Sequence, residues 1–158
     1  MAKISKLSKL PMGTIYSMYP AKKDLVNATY VFCRSNYLGK IDFVQCQKAG
    51  DRRAVVRAAV LAYIDAALAH DKDFLFVEQC YLDPIIRKES TSDGDEILNG
   101  FGFQLSEGSA AEKGYLIKHM VLSVINKAIE LSLMGRIPLD DTQKMLTADA
   151  CWSIFALL

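Results

Sequence analysis

The chain has 158 residues, 51% hydrophobic and 23% charged, with a formal net charge of +1. A chain of that size and composition buries one well-formed core and makes one globular domain or one and a half. Four scattered cysteines, no Cys-x-x-Cys and only two histidines speak against a disulfide framework or a metal site, so reduced thiols in a cytoplasm are expected. The lysine-rich N-terminus has no uninterrupted apolar run of the signal-peptide kind, and no stretch reaches 18 charge-free apolar residues.

The charge is unevenly placed. Lysines 3, 6, 9, 22 and 23 give the first 23 residues +5 with no acid among them, so the other 135 carry −4. A basic head on an acidic body suggests one end that meets nucleic acid and one that does not. Within the head, Ile4, Leu7 and Leu10, then Ile15 and Met18, read as the inward faces of two short helices across a tight turn. Pro11 opens the second helix, where a proline forfeits no hydrogen bond, and Pro20 ends it. Gly13 allows close approach to the backbone. Thr14, Tyr16, Ser17 and Tyr19 offer hydroxyls, and Lys22 offers a charge at the next helix start. Two short helices across a turn form the unit whose second helix enters the DNA major groove.

At these residues the sequence resembles the TetR family of bacterial transcriptional regulators. That family's pattern runs roughly I-A-x-x-A-G-V-S-x-G-T-[LI]-Y-x-[YH]-F-x-[ST]-K-x-x-L. Ile4, Ser5, Ser8, Leu10, Gly13, Thr14, Ile15, Tyr16, Tyr19, Lys22 and Leu25 fall at its places, about a seventh of the chain. The resemblance implies DNA contacts from Gly13, Thr14, Tyr16, Ser17, Tyr19 and Lys22. Four positions depart from the pattern. Lys9 stands in place of the turn glycine, Pro11 in place of a serine cap, Met18 in place of tyrosine or histidine, and Ala21 in place of a Ser/Thr cap. The family has a further helix before Ile4, which the chain begins too late to contain, so the head is expected to be truncated.

A long helix is expected from Asp24 to about Tyr37, stopped by Gly39, and a short connection over 42–50. Residues 51–69 read as a largely buried helix with Asp51 as N-cap and Val55, Ala58, Ala59, Ala62, Tyr63, Ala66 and Ala67 on a broad apolar face. His70, Asp71 and Asp73 read as a helix end followed by the next N-cap. The apolar run 74–82 passes for a strand by length, but in so helical a chain it is expected to be a buried helix ending near Pro84. Residues 88–96 read as a polar loop and Ile97 to about Glu107 as another helix. Tyr115 to Met134 is the next helix, with Gly135 as its C-terminal cap. Asp140 with Gln143 makes a capping box for the last helix, which carries an apolar tail to Leu158.

The expected fold is all-α and TetR-like, with a truncated helix-turn-helix head and connecting helix over 1–38 and a helical-bundle body for ligand binding and dimerisation over 39–158. No catalytic constellation, Gly-rich phosphate loop or metal set emerges, so neither an enzyme nor a cofactor is expected. By resemblance, the body encloses an unknown small-molecule effector, and Tyr30, Cys33, Tyr63, Phe76, Cys80, Phe101 and Phe103 are the candidates to line its site. The last two helices are too apolar for one body of this size and are expected to form a homodimer through His119, Ser123, Lys127, Trp152 and Phe155. A palindromic DNA operator is the partner that suits such a dimer. The alternative is a dimeric helical protein that binds a ligand or partner and no DNA.

Overall fold

The computed structural model describes residues 1–81, 83–87 and 109–157, the side chains of 109–111 and 113 aside. The described residues are all-α. Eight helices run α1 (Ala2–Ser8), α2 (Met12–Met18), α3 (Lys22–Leu38), α4 (Phe43–Cys46), α5 (Arg52–Ala69), α6 (Asp71–Cys80), α7 (Ser109–Leu133) and α8 (Asp141–Phe155), with no strand among them. None is long and apolar enough to cross a membrane.

α5 is the axis of the body. Val56, Ala59, Val60, Ile64 and Ala67 on it are wholly buried, which small and β-branched side chains permit because neighbouring helices can approach closely. α8 packs along it most extensively, with α3, α4, α6 and α7 around the rest, while α3 also pairs with α6 and α7 with α8. Ile117, Val121, Ile125 and Ile129 form the buried stripe of α7, spaced by four residues, one turn apart each time. The stripe of α8 is Thr147, Ala148, Cys151 and Phe155.

The helix ends follow local chemistry. Asp51 accepts the Ala54 N–H at 2.8 Å, and Asp140 accepts those of Thr142 and Gln143 at 2.9 and 3.2 Å. Each side chain thereby occupies a donor that the helix cannot pair itself. Beyond α7, Gly135 takes φ +67°, its N–H bonds the Ser132 carbonyl at 2.9 Å and the Arg136 N–H bonds that of Leu131 at 2.8 Å. This is the left-handed two-bond stop that glycine favours.

Three boundaries differ from expectation. The 42–50 connection contains α4, nucleated where Asp42 accepts the Gln45 N–H at 2.9 Å. α7 starts six residues before Tyr115, through Ala and Glu residues that favour helix strongly enough to carry Gly114. α8 ends at Phe155, and Leu157 beyond it is exposed. The helix expected over 97–107, and Phe101 and Phe103 with it, lies outside the described residues.

Candidate nucleic-acid interface and helical body

The head is α1, a three-residue turn and α2. Lys9 closes the turn at φ 58°, the single non-glycine residue in the left-handed region among those described. Two serines stitch it. The Ser5 hydroxyl donates to the Leu10 carbonyl at 2.6 Å, and the Ser8 hydroxyl accepts the Leu10 N–H at 3.3 Å. On α2 only Ile15 is buried, at 4% exposure. Gly13, Thr14, Tyr16 and Ser17 face solvent, and a Cβ added at Gly13 would meet nothing within 4 Å. The glycine therefore answers no packing need inside the chain. The Ser17 hydroxyl is turned back onto the Thr14 carbonyl at 2.8 Å, so it is partly occupied already. Tyr19 is half-buried, while Lys22 and Lys23 are exposed at the first turn of α3.

Two expectations about the head are corrected. Ile4, Leu7 and Leu10 were to face inward, yet all three are exposed, because no described helix other than α2 makes more than slight contact with α1. Met18 was to turn inward with Ile15, yet it is 62% exposed. Met18 is three positions after Ile15 and is the last residue of α2, so no further turn exists to carry that position into the interior. The weak cap at Ala21 is offset from inside the helix. The carboxylate of Asp24 accepts the Ala21 N–H at 3.0 Å, the half of a capping box that needs no side chain at the cap.

The sequence candidates for a ligand site occupy several environments. Tyr30, Cys33 and Tyr63 are buried core members; Phe76 and Cys80 are half-buried at its margin. Tyr37 meets the rings of Tyr63 and Phe74 edge to face, both at 6.0 Å between centroids. Burial pushes the Tyr30 hydroxyl up to about 12 and raises that of Tyr63 well above its usual range. Cys33 rises to about 11 through burial and a hydrogen bond to Asp73, which also accepts from the Asn36 amide at 2.9 Å. These are protonated thiols and phenols, not nucleophiles. All four cysteines are free.

Sequence reasoning missed the polar residues threaded through this aromatic layer. The Tyr63 hydroxyl donates to the Asn126 amide oxygen on α7 at 3.1 Å. Glu78 on α6 is drawn into the same place, its carboxyl raised by burial, lowered by a hydrogen bond to Asn126 and raised by Glu130. Arg34 is buried beside Cys33. The signal was present as charged or amide residues at helical core spacing, such as Asn126 next to Ile125. No group of three metal-ligating side chains suited to an ion occurs among the described residues.

The dimer candidates divide. Ser123 and Lys127 lie exposed on α7, where Lys127 pairs with Glu130 at 2.5 Å. His119 is half-buried between the rings of Tyr115, at 4.3 Å, and Tyr81, at 6.1 Å. Its Nε2 is buried without a hydrogen-bond partner among the described residues, and burial, with Lys118, lowers its pKa. Phe155 is 2% exposed and offers no free surface, while Trp152 is half-buried against the same core. Phe155 lies two turns from Ala148 on the buried stripe of α8, and Trp152, one turn from Ala148, lies at the edge of that stripe. Leu146, Ala150 and Ser153 are exposed along that helix and Leu157 just beyond its end, as are Asp141 and Thr142 in its first turn and Ala156 after it.

Comparisons with protein-family models, with curated proteins and with solved structures give no match to the chain.

Proposed function

We propose that the chain is a TetR-like transcriptional regulator whose α1–turn–α2 unit is a helix-turn-helix and whose helical body dimerises and responds to a small molecule. The observation that carries this reading is the surface of α2. Gly13, Thr14 and Tyr16 stand outward around an anchored Ile15, with Lys22 and Lys23 exposed just beyond. Hydroxyls, an open backbone and two ammonium groups suit a phosphate backbone and base edges. The left-handed Lys9 is at the place where the family pattern has glycine, which supports the alignment of the turn.

The dimer rests on a second pattern. Leu116, Met120, Ser123 and Lys127 on α7, and Leu146, Ala150 and Ser153 on α8 with Leu157 just beyond it, are all exposed and spaced by four and three residues. That is the seam of helices packing at about 20° in a bundle. Two chains joined this way present two heads to a palindromic operator. The effector site belongs to the layer that holds Tyr63, Asn126, Glu78 and Phe76.

A specific observation favours a second reading. Ile4, Leu7 and Leu10 are exposed, Leu7 at 74%, an apolar surface that suits a protein partner better than DNA. On that reading the chain is a dimeric ligand- or partner-binding protein without an operator. Enrichment from a random duplex library separates the two. A two-fold symmetric consensus supports the regulator, and recovery of sequence-independent binders or none at all contradicts it.

A further inference from the structure

Residues 83–87 follow α6, more than fifty residues from the head in sequence, yet they are fastened to the start of α3. Asn27 on α3 is 4% exposed. Its amide nitrogen donates to the Lys23 carbonyl and to the Ile85 carbonyl, both at 2.8 Å, and its amide oxygen accepts the Arg87 N–H at 2.8 Å. One side chain thus holds both backbone groups that flank Ile86, itself buried in the core. The segment is folded to be held. Ile86 N–H bonds the Asp83 carbonyl, and Ile85 N–H bonds the Asp83 carboxylate, both at 2.9 Å. A second fastening lies a turn earlier on α3. The guanidinium of Arg87 pairs with one oxygen of Asp24, whose other oxygen accepts the Ala21 N–H at 3.0 Å.

Asp24 is the first acid in the chain and directly follows Lys22 and Lys23. Left alone it would oppose the positive field of that pair, since unit charges a few ångströms apart interact appreciably even in high dielectric. Arg87 removes the opposition. The guanidinium is also half exposed, so it stays in contact with solvent at the edge of the basic surface. We infer that segment 83–87 is a strap which positions the basic end of α3: Asn27 is its clasp, and Arg87 neutralises Asp24 so that Lys22 and Lys23 act as an undiminished phosphate-binding pair. Asn27, Asp24 and Arg87 are positioning residues, and the electrostatic part rests on the nucleic-acid reading of the head.

The test uses the full chain, amide hydrogen exchange and an arbitrary-sequence DNA duplex at several salt concentrations. Asn27→Ala is expected to speed exchange of the Arg87 N–H about ten-fold or more, while amides of α5 stay protected. Arg87→Ala, a change at a half-exposed side chain, is expected to weaken duplex binding about three-fold or more at low salt, with the difference shrinking as salt rises. Asp24→Asn combined with Arg87→Ala is expected to recover binding to within about two-fold, because the net charge is again that of the intact pair. A purely structural role predicts no such rescue. Unchanged exchange at Arg87 in Asn27→Ala overturns the clasp. Should that variant not fold, faster exchange at Ala21 in Arg87→Ala supports the strap, and unchanged exchange there overturns it. Equal weakening in the single and double variants overturns the electrostatic role. A wild-type chain that binds no duplex overturns that role together with the nucleic-acid reading, and the exchange result alone then decides the strap.

Discussion

Arg57 on α5 grips Asp149 on α8, Nε donating to one carboxylate oxygen and Nη2 to the other, both at 2.8 Å, with Nη2 also 2.6 Å from the first oxygen. Arg53, one turn earlier, reaches the same carboxylate at 3.2 Å, and Lys144 meets Asp65 at 2.5 Å along the same seam. The contact sets α8 against α5, and so sets the direction in which Leu146, Ala150 and Ser153 face. A planar fork on a carboxylate fixes geometry in a way that a lysine would not.

The Arg57 hydrogen bond holds the Asp149 carboxyl below the usual carboxylate range, with Arg53 adding to it. A group with a depressed folded-state pKa contributes stability above its unfolded pKa, and the contribution fades as pH falls through the folded value. Asp149→Asn should therefore lower the melting temperature at neutral pH, and the gap to wild type should close on acidification below about pH 4. Thermal melts of both proteins from pH 7 to pH 3 check this; a constant gap contradicts it.

Glu78 behaves in the opposite sense. Its carboxyl is raised by burial, so the folded chain holds that proton more tightly than the unfolded one. Its contribution to stability is full below the unfolded pKa and is lost as pH rises through the folded value. Glu78→Gln keeps the hydrogen-bonding capacity toward Asn126 and abolishes the charge. It should stabilise the protein at neutral pH and leave it unchanged near pH 4, as read by urea denaturation at the two values.

Lys9→Gly relieves a left-handed lysine. A non-glycine residue there costs about 1 kcal/mol, less whatever glycine adds to the freedom of the unfolded chain. A rise in stability of up to about 1 kcal/mol is expected in denaturant titrations. A loss would mean that the lysine side chain makes contacts that outweigh its backbone.

Self-association should depend on the outward seam and not on Trp152. Leu146→Glu is expected to shift sedimentation toward monomer while the fold survives, since Leu146 is 69% exposed. Trp152→Ala should instead lower stability by about 3 kcal/mol, as truncation of a packed aromatic does. Dissociation caused by Trp152→Ala with unchanged stability would reverse this assignment.

The long body helices α5, α7 and α8 were legible because each carries its own signals, whereas the four-residue α4 was not. Asp51, Asp140 and Gly135 mark ends by chemistry that acts within a few residues, and the spacing of Val55, Ala59 and Tyr63 gives the buried side of α5. What sequence did not reveal depends on distant partners. Asn27 reads as an indifferent helical residue until residues 85–87 arrive against it. Phe155 looks like an interface anchor because nothing local says that the core of its own chain buries it. Met18 follows the period of the inward residues but falls at the end of its helix.

The central claim, that the outward surface of α2 and the start of α3 meet DNA, is tested most directly by fluorescence anisotropy of a labelled duplex with wild type, Gly13→Val and Lys22→Ala across a salt series. A Cβ at Gly13 meets nothing within 4 Å, so a Gly13→Val chain of wild-type thermal stability isolates the obstructed approach of a partner. The account predicts binding by wild type and a loss of about ten-fold or more for Gly13→Val at matched thermal stability. For Lys22→Ala it predicts uniform weakening across sequences, with a salt slope reduced by about one. Wild-type binding that neither substitution alters, or no binding at any salt concentration, would contradict it.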